Sequence, residues 1–186
     1  MLRLQPIEEP RGLMMRIAWW VSRHRLGKVI TPLKVVQARV PKSLRASYEI
    51  SKVMERGFSL DEQLQFLLHT HISMVNRCGF CIDIARAEAL AKSGSLGKID
   101  KLPQFATDPA FSAEERAALA YVEEVSTTKT ASDATFAELR RYFNDQQIAE
   151  ITLLNAFENF YNLVNRPLGI ESDGLCAVIP DRNRQG

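Results

Sequence analysis

Three cysteines in 186 residues are too few for a disulfide framework, and in a reducing compartment they point to redox or metal chemistry instead. Only Cys78 and Cys81 lie close together; Cys176, far from them in sequence, reads as a free thiol with no role. No apolar run approaches the roughly 20 residues a membrane-spanning helix requires. The longest near the start, Ile17 to Val21, is closed off by Arg16, Ser22 and Arg23. Met1 to Pro10 carries Glu8, Glu9 and two prolines where a secretory signal needs an apolar core, so a cytoplasmic protein with no membrane partner is expected. The formal net charge is only +2, which implies no nucleic-acid partner. Its basic residues are locally uneven: Arg11, Arg16, Arg23, Arg25 and Lys28 crowd the N-terminal segment, and Arg182 and Arg184 lie in the tail. Alternating strand patterns with hairpin turns, internal repeats and low-complexity stretches are also missing.

What is present is helical periodicity. Leu13, Ile17, Trp20 and Val21 form a stripe in a first helix over residues 11–25. A second is expected over 42–56, with Gly57 capping it through a positive φ. Ser59 and Glu62 read as a capping box opening a third, whose stripe of Leu60, Leu64, Leu67, Leu68, Ile72 and Val75 reaches Asn76. A fourth runs from Cys78 to Ala91 and stops near Gly94. Residues 95–109 are a connector. Ser112 with Glu115 opens another helix to about Thr128, Ser132 or Asp133 the next, and Asn144 a long one ended by Pro167 and Gly169. The reading is an all-α, single-domain bundle of about six to eight helices. A helical extension covers residues 1–25, the domain 26–170 and a tail 171–186.

The chemistry concentrates at the cysteine pair. Three residues apart on a helix, the sulfurs share one face and are close enough to be bridged. A helix N-terminus adds unpaired N–H groups and positive dipole, which favour thiolate. A thiolate reacts with peroxides and disulfides, and a neighbouring thiol resolves the sulfenic acid formed. Two other readings stay open. The pair could be two small buried hydrophobes. A structural zinc site normally takes four ligands; no second Cys-x-x-Cys pair exists, His24 is remote, and His69 and His71 are two residues apart on a helix, pointing to different faces. No metal and no bound cofactor are expected.

The stretch Leu60–Asp83, with Asn76-Arg-Cys78-Gly-Phe-Cys81 at its centre, resembles the carboxymuconolactone decarboxylase and alkylhydroperoxidase D-like superfamily. The segment Gly27-Lys-Val-Ile-Thr-Pro-Leu, the run Asn159-Phe-Tyr-Asn162 and the pair Leu168-Gly169 extend that similarity over most of residues 26–170. It implies a helical fold assembling into homo-oligomers and, in the hydroperoxidase branch, a thiol peroxidase or disulfide reductase. There the second cysteine attacks and the first resolves, giving those roles to Cys81 and Cys78. Peroxide or disulfide would be the substrate and an external thiol the reductant. A decarboxylase-like enzyme and a non-catalytic redox-sensing oligomer are the alternatives; the decarboxylase branch typically lacks the cysteine pair.

The departures are informative. The peroxidase branch keeps a glutamate twelve residues before the first cysteine and a histidine four after the second; here those positions are Phe66 and Ala85. Glu62, His69 and Ser73 share the face of Phe66. His69 is therefore the candidate substitute base, against a plainer role as a half-buried histidine bonded to a backbone carbonyl. His71 points away and reads as a surface or interface group. Asp83 reads as a complement to the helix dipole. Phe157, Phe160 and Tyr161 read as core that also walls the site. The Trp19-Trp20 segment reads as docking on its own domain or on a neighbouring subunit, in preference to lying on a membrane.

Overall fold

The computed structural model describes residues 1–93 and 96–178. The helix stop assigned to Gly94 and the tail arginines Arg182 and Arg184 lie outside them. The chain is all-α. Its helices are α1 (Leu13–Leu26), α2 (Lys42–Arg56), α3 (Glu62–Val75), α4 (Gly79–Ser93), α5 (Ala113–Thr128), α6 (Asp133–Leu139), α7 (Asp145–Asn165) and α8 (Leu175–Val178). A π-helical turn at Leu33–Gln37 and 3₁₀ turns at Gly97–Gln104 and Arg166–Leu168 complete the described elements.

Local chemistry accounts for most helix starts. Ser112 with Glu115 and Asn144 with Gln147 are full capping boxes for α5 and α7, and Ser132 caps α6. The expected box at Ser59 is not formed. Asp61 caps α3 by accepting the Leu64 N–H. Ser59 turns to Glu150 of α7, whose carboxylate takes the N–H groups of Ser59 and Leu60 and the Ser59 hydroxyl. Glu150 is 6% exposed; although burial opposes ionisation, these donors with Gln146 hold its pKa below the usual range. Gly57 also departs from expectation: its φ is −96°, so no left-handed conformation is used there.

α3 is the central helix, packed against α4, α5 and α7. Its stripe Leu64, Leu67, Leu68 and Ile72 joins Ile151 and Leu154 of α7 and Leu119 and Val122 of α5 in the main core. Each such side chain contributes about 1.5–3 kcal/mol on burial. A second apolar cluster surrounds the cysteine pair, with Val35, Phe80, Ile170 and Leu175. A third holds α1 through Met15 and Trp19 against Val29 and Leu33. α1 therefore docks on its own domain by one face only, since Met14 and Trp20 stand exposed.

The chain after α7 folds back over the cysteine cluster. Asp83 is not a mere dipole complement: its carboxylate accepts the N–H groups of Asp173, Leu175 and Cys176. Burial works against its ionisation, but these bonds and Ser172 keep its pKa low. Asp173 in turn holds Thr31 by its N–H and hydroxyl. Asp83→Ala should cost about 1–3 kcal/mol, checked by urea titration, because three N–H groups lose their acceptor at once. Gly79 is closely approached; a Cβ there would stand 2.6 Å from a Glu171 carboxylate oxygen.

Candidate active site

Cys78 and Cys81 are joined by a disulfide, with Cα atoms 5.2 Å apart. Arg77 reverses the chain between α3 and α4 in a left-handed conformation, φ 53°. The Cys78 N–H then returns to the Ser73 carbonyl at 2.9 Å. Cys78 thus sits immediately before the first residue of α4, where its sulfur accepts the Cys81 N–H at 3.4 Å in the manner of a capping side chain. Cys81 is met from the other side by Asn165 of α7, whose amide N–H approaches its sulfur at 3.5 Å. Both sulfurs are buried, at 0% and 2% exposure.

His69 faces α7, on the same side of α3 as Ser73. Its partner is a carboxylate and not a backbone carbonyl: Nε2 lies 2.9 Å from Oε2 of Glu158. The other oxygen of Glu158 accepts the Ser73 hydroxyl at 2.7 Å and the Asn162 amide at 2.6 Å. Glu158 is 1% exposed. Burial alone would push the His69 pKa down; the Glu158 charge and hydrogen bond, with Glu88 further off, override it and the net shift is upward. Phe66 is half-buried, and Ala85 is 1% exposed, leaving little room for an imidazole at position 85.

One inner face of α7 therefore serves the whole cluster. Glu158, Asn162 and Asn165 stand at i, i+4 and i+7, about two turns in all. They touch, in order, His69 with Ser73, then Glu158 itself, then Cys81. No hydrogen bond among the described residues links His69 directly to a sulfur. A proton passing between them crosses more than one bond. The side-chain Oδ1 atoms of Asn162 and Asn165 are buried and unpartnered. Over this face lies a recess of about 290 Å³ with Asn76, Lys129, Asn159, Asn162, Leu163 and Arg166 in its wall.

Glu158 and Asn165 escaped sequence reading, and Asn162 entered it only within the run Asn159-Phe-Tyr-Asn162, although polar residues on the inward side of a helix rich in Leu, Ile and Phe were the available signal. His71 is corrected. It is 6% exposed, bonded through Nε2 to Glu123 of α5 at 2.8 Å and set edge-on to Phe105 at 4.9 Å. Burial outweighs Glu123 and lowers its pKa. Phe160 is 40% exposed and so is not core, while Tyr161 packs at the cysteine cluster. Cys176 is a free, exposed thiol whose pKa is raised by desolvation and by Asp83.

Known proteins are similar to this chain to different degrees. The sequence profile of the Carboxymuconolactone decarboxylase family matches residues 45–124, a span holding His69 and both paired cysteines. The uncharacterized protein YnjA of Escherichia coli (strain K12) is 30% identical over 173 residues, covering 92% of this chain and 94% of its own. YdfG of Bacillus subtilis (strain 168), also uncharacterized, is 22% identical over 69% of this chain and 88% of its own. Two solved structures share the helical fold. One is an uncharacterized peroxidase-related protein from Silicibacter sp. TM1040, with TM-score 0.81 and 20% identity over 96% of both chains. The other is the debrominase Bmp8 without ligand, at 0.79 and 19% over 92% of both. With the profile spanning the cysteine pair and YnjA matching almost end to end, the chain belongs to the carboxymuconolactone decarboxylase family.

Proposed function

We propose that this protein is a thiol oxidoreductase that reduces small peroxides through Cys81 and Cys78. The observation that carries the reading is the Cys78–Cys81 bridge held by α7, which also pairs the half-buried His69 with the buried Glu158. Reduced Cys81, as thiolate, attacks the outer oxygen of a hydroperoxide. An S–O bond forms, the O–O bond breaks, and the alkoxide leaves as alcohol after taking a proton. Cys78 then attacks the sulfenic sulfur, forming the disulfide and releasing water. An external dithiol supplies two electrons and two protons to reopen the bridge.

The residues divide this work by chemistry. Asn165 donates to Cys81 and favours its thiolate; the Cys81 N–H does the same for Cys78. His69, kept cationic to higher pH by Glu158, is the proton donor to the leaving oxygen, reached through substrate or water. The two unpartnered asparagine carbonyls accept the peroxide O–H or a water. Burial of the sulfurs favours small hydroperoxides over protein disulfides. The test is peroxide consumption with dithiothreitol as donor, beside mass spectrometry of the 78–81 link before and after reduction. Turnover with a link that opens and closes supports the reading; two thiols that stay alkylatable after peroxide treatment refute it.

Three variants refine the assignment. Asn165→Leu keeps the side-chain size, removes the donor to Cys81 and also removes an unpartnered carbonyl. The Cys81 thiol pKa should rise by about one to two units, the equivalent of a hydrogen bond to a charged group. Stability should not fall. Alkylation rate against pH and a thermal melt check both. His69→Ala should slow peroxide turnover by about 10²–10⁴-fold, whereas His71→Ala should leave turnover unchanged, because His71 faces Glu123 on α5. Steady-state assays of the two side by side decide whether His69 takes part.

A further inference from the structure

The outward half of α1 is a surface that its own fold leaves uncovered. Met15, Trp19 and Ser22 face inward, Trp19 at 4% exposure. Opposite them Leu13, Met14, Ile17, Trp20 and Val21 face solvent, Leu13 at 73% and Trp20 at 65%. At 100° per residue these five fall within an arc of about 120°, which also takes in the exposed His24, stacked on Trp20. Arginines border the arc on both sides, Arg16 and Arg23 on one and Arg25 on the other. Arg11 stands just before the helix. No acidic residue occurs between Glu9 and Glu49. The nearby lysines are engaged elsewhere, Lys28 with Asp173 and Lys34 with Glu8, while the four arginines form no ion pair among the described residues.

We propose that α1 lies on an anionic lipid surface, its apolar arc at the boundary between acyl chains and headgroups. An apolar face edged by arginines is the pattern of an interfacial helix. Guanidinium groups at the border reach lipid phosphates while their stems stay along apolar surface. Trp20 sits at headgroup depth, where an amphipathic ring is favoured. A second copy of the same helix is a poorer occupant. Packing arc on arc would bring Arg16, Arg23 and Arg25 of two chains together with no carboxylate on either helix. The described residues contain no helix long and apolar enough to cross the bilayer, so the contact is peripheral. It does not depend on the redox reading.

The test mixes the intact protein with vesicles of phosphatidylcholine alone or with one-third phosphatidylglycerol, read by flotation and tryptophan emission. Anionic vesicles should bind at least about tenfold more protein, high salt should release it, and bound protein should show blue-shifted emission. Trp20→Phe should abolish the shift, because Trp19 is buried whether or not lipid is present. Ile17→Gln with Trp20→Gln, and Arg16, Arg23 and Arg25 all changed to Gln, should each reduce binding at least about fivefold. All these side chains are exposed, and circular dichroism melts verify the fold. Absence of flotation on anionic vesicles at low salt overturns the proposal, as does binding that ignores both variants. Light scattering in which Ile17→Gln with Trp20→Gln dissolves a multimer, without vesicle binding by the wild type, also overturns it and assigns the surface to a second copy.

Discussion

Cys81→Ser should bring peroxide-dependent oxidation of dithiothreitol down to the uncatalysed background, while Cys78→Ser, given peroxide with no added thiol, should consume one equivalent and stop. The difference follows from what each sulfur does after peroxide arrives. With serine at 81 the attacking thiolate is gone, and the Cys78 thiolate, stabilised at the head of α4, lacks the Asn165 contact made at the other sulfur. With serine at 78 the sulfenic acid forms on Cys81 but meets no resolving thiol at the other end of the bridge. Trapping with dimedone and intact mass measurement should find one adduct on Cys78→Ser and none on Cys81→Ser. The reverse pattern would exchange the two roles, and it has a physical basis in the capping position of Cys78. Adducts on neither variant, with no turnover in the wild type, would leave the pair without redox function.

Glu158→Gln should have the next largest effect. The carboxylate takes three donors, from His69, Ser73 and Asn162. A glutamine keeps the volume but turns one acceptor into a donor; with its amide N–H facing His69, only the neutral ring, accepting through Nε2, can pair with it. Breaking a buried charged pair costs about 3–5 kcal/mol. Turnover should fall by about 10²–10⁴-fold, because His69 loses the charge that lifts its pKa. The sign carries into stability. His69 has a folded pKa above its unfolded value of about 6.5. Its contribution is complete below that value and is lost as pH rises through the folded pKa. His71, lowered by burial, works the opposite way: its neutral form is preferred, and stability is lost as pH falls below about 6.5. Urea titrations from pH 5 to 8 should show Glu158→Gln removing the first trend and His71→Phe the second. A Glu158→Gln profile parallel to that of the wild type would show that the pair is not ionised as described.

How far the sequence reaches is clearest where it stops. Helix existence followed from period and caps: Ser112 with Glu115 and Asn144 with Gln147 are local signals that no long-range contact had to overrule. Ser59 with Glu62 carried the same local signal and failed. Glu150, about ninety positions away in the chain, offers the Ser59 hydroxyl and N–H a buried carboxylate, and Asp61 takes over the cap. The site divides along the same line. As candidates, Cys78 and Cys81 were legible from their spacing and His69 from the face of α3 that it shares with Phe66. Glu158, Asn162 and Asn165 were not, since their meaning arises only when α7 packs on α3 and α4. His71 was misread for a related reason. Facing away from one neighbour is not exposure when α5 covers the other side of the same helix.

α7 has a further consequence, for what kinds of change the protein can tolerate. Along one uninterrupted rod of 21 residues, Glu150 anchors the entry to α3, Glu158 holds the histidine and Asn165 meets the sulfur. A substitution at any one of the three, whatever it costs at its own contact, leaves the other two anchors facing their partners. Gain or loss of a single residue between them is not. It turns everything downstream by about 100°, so the anchors before and after the change face different directions and no side-chain adjustment restores both. Variation among relatives should therefore appear along this helix as exchanges of residue type at constant length. Length differences are relegated to the turns on either side of it.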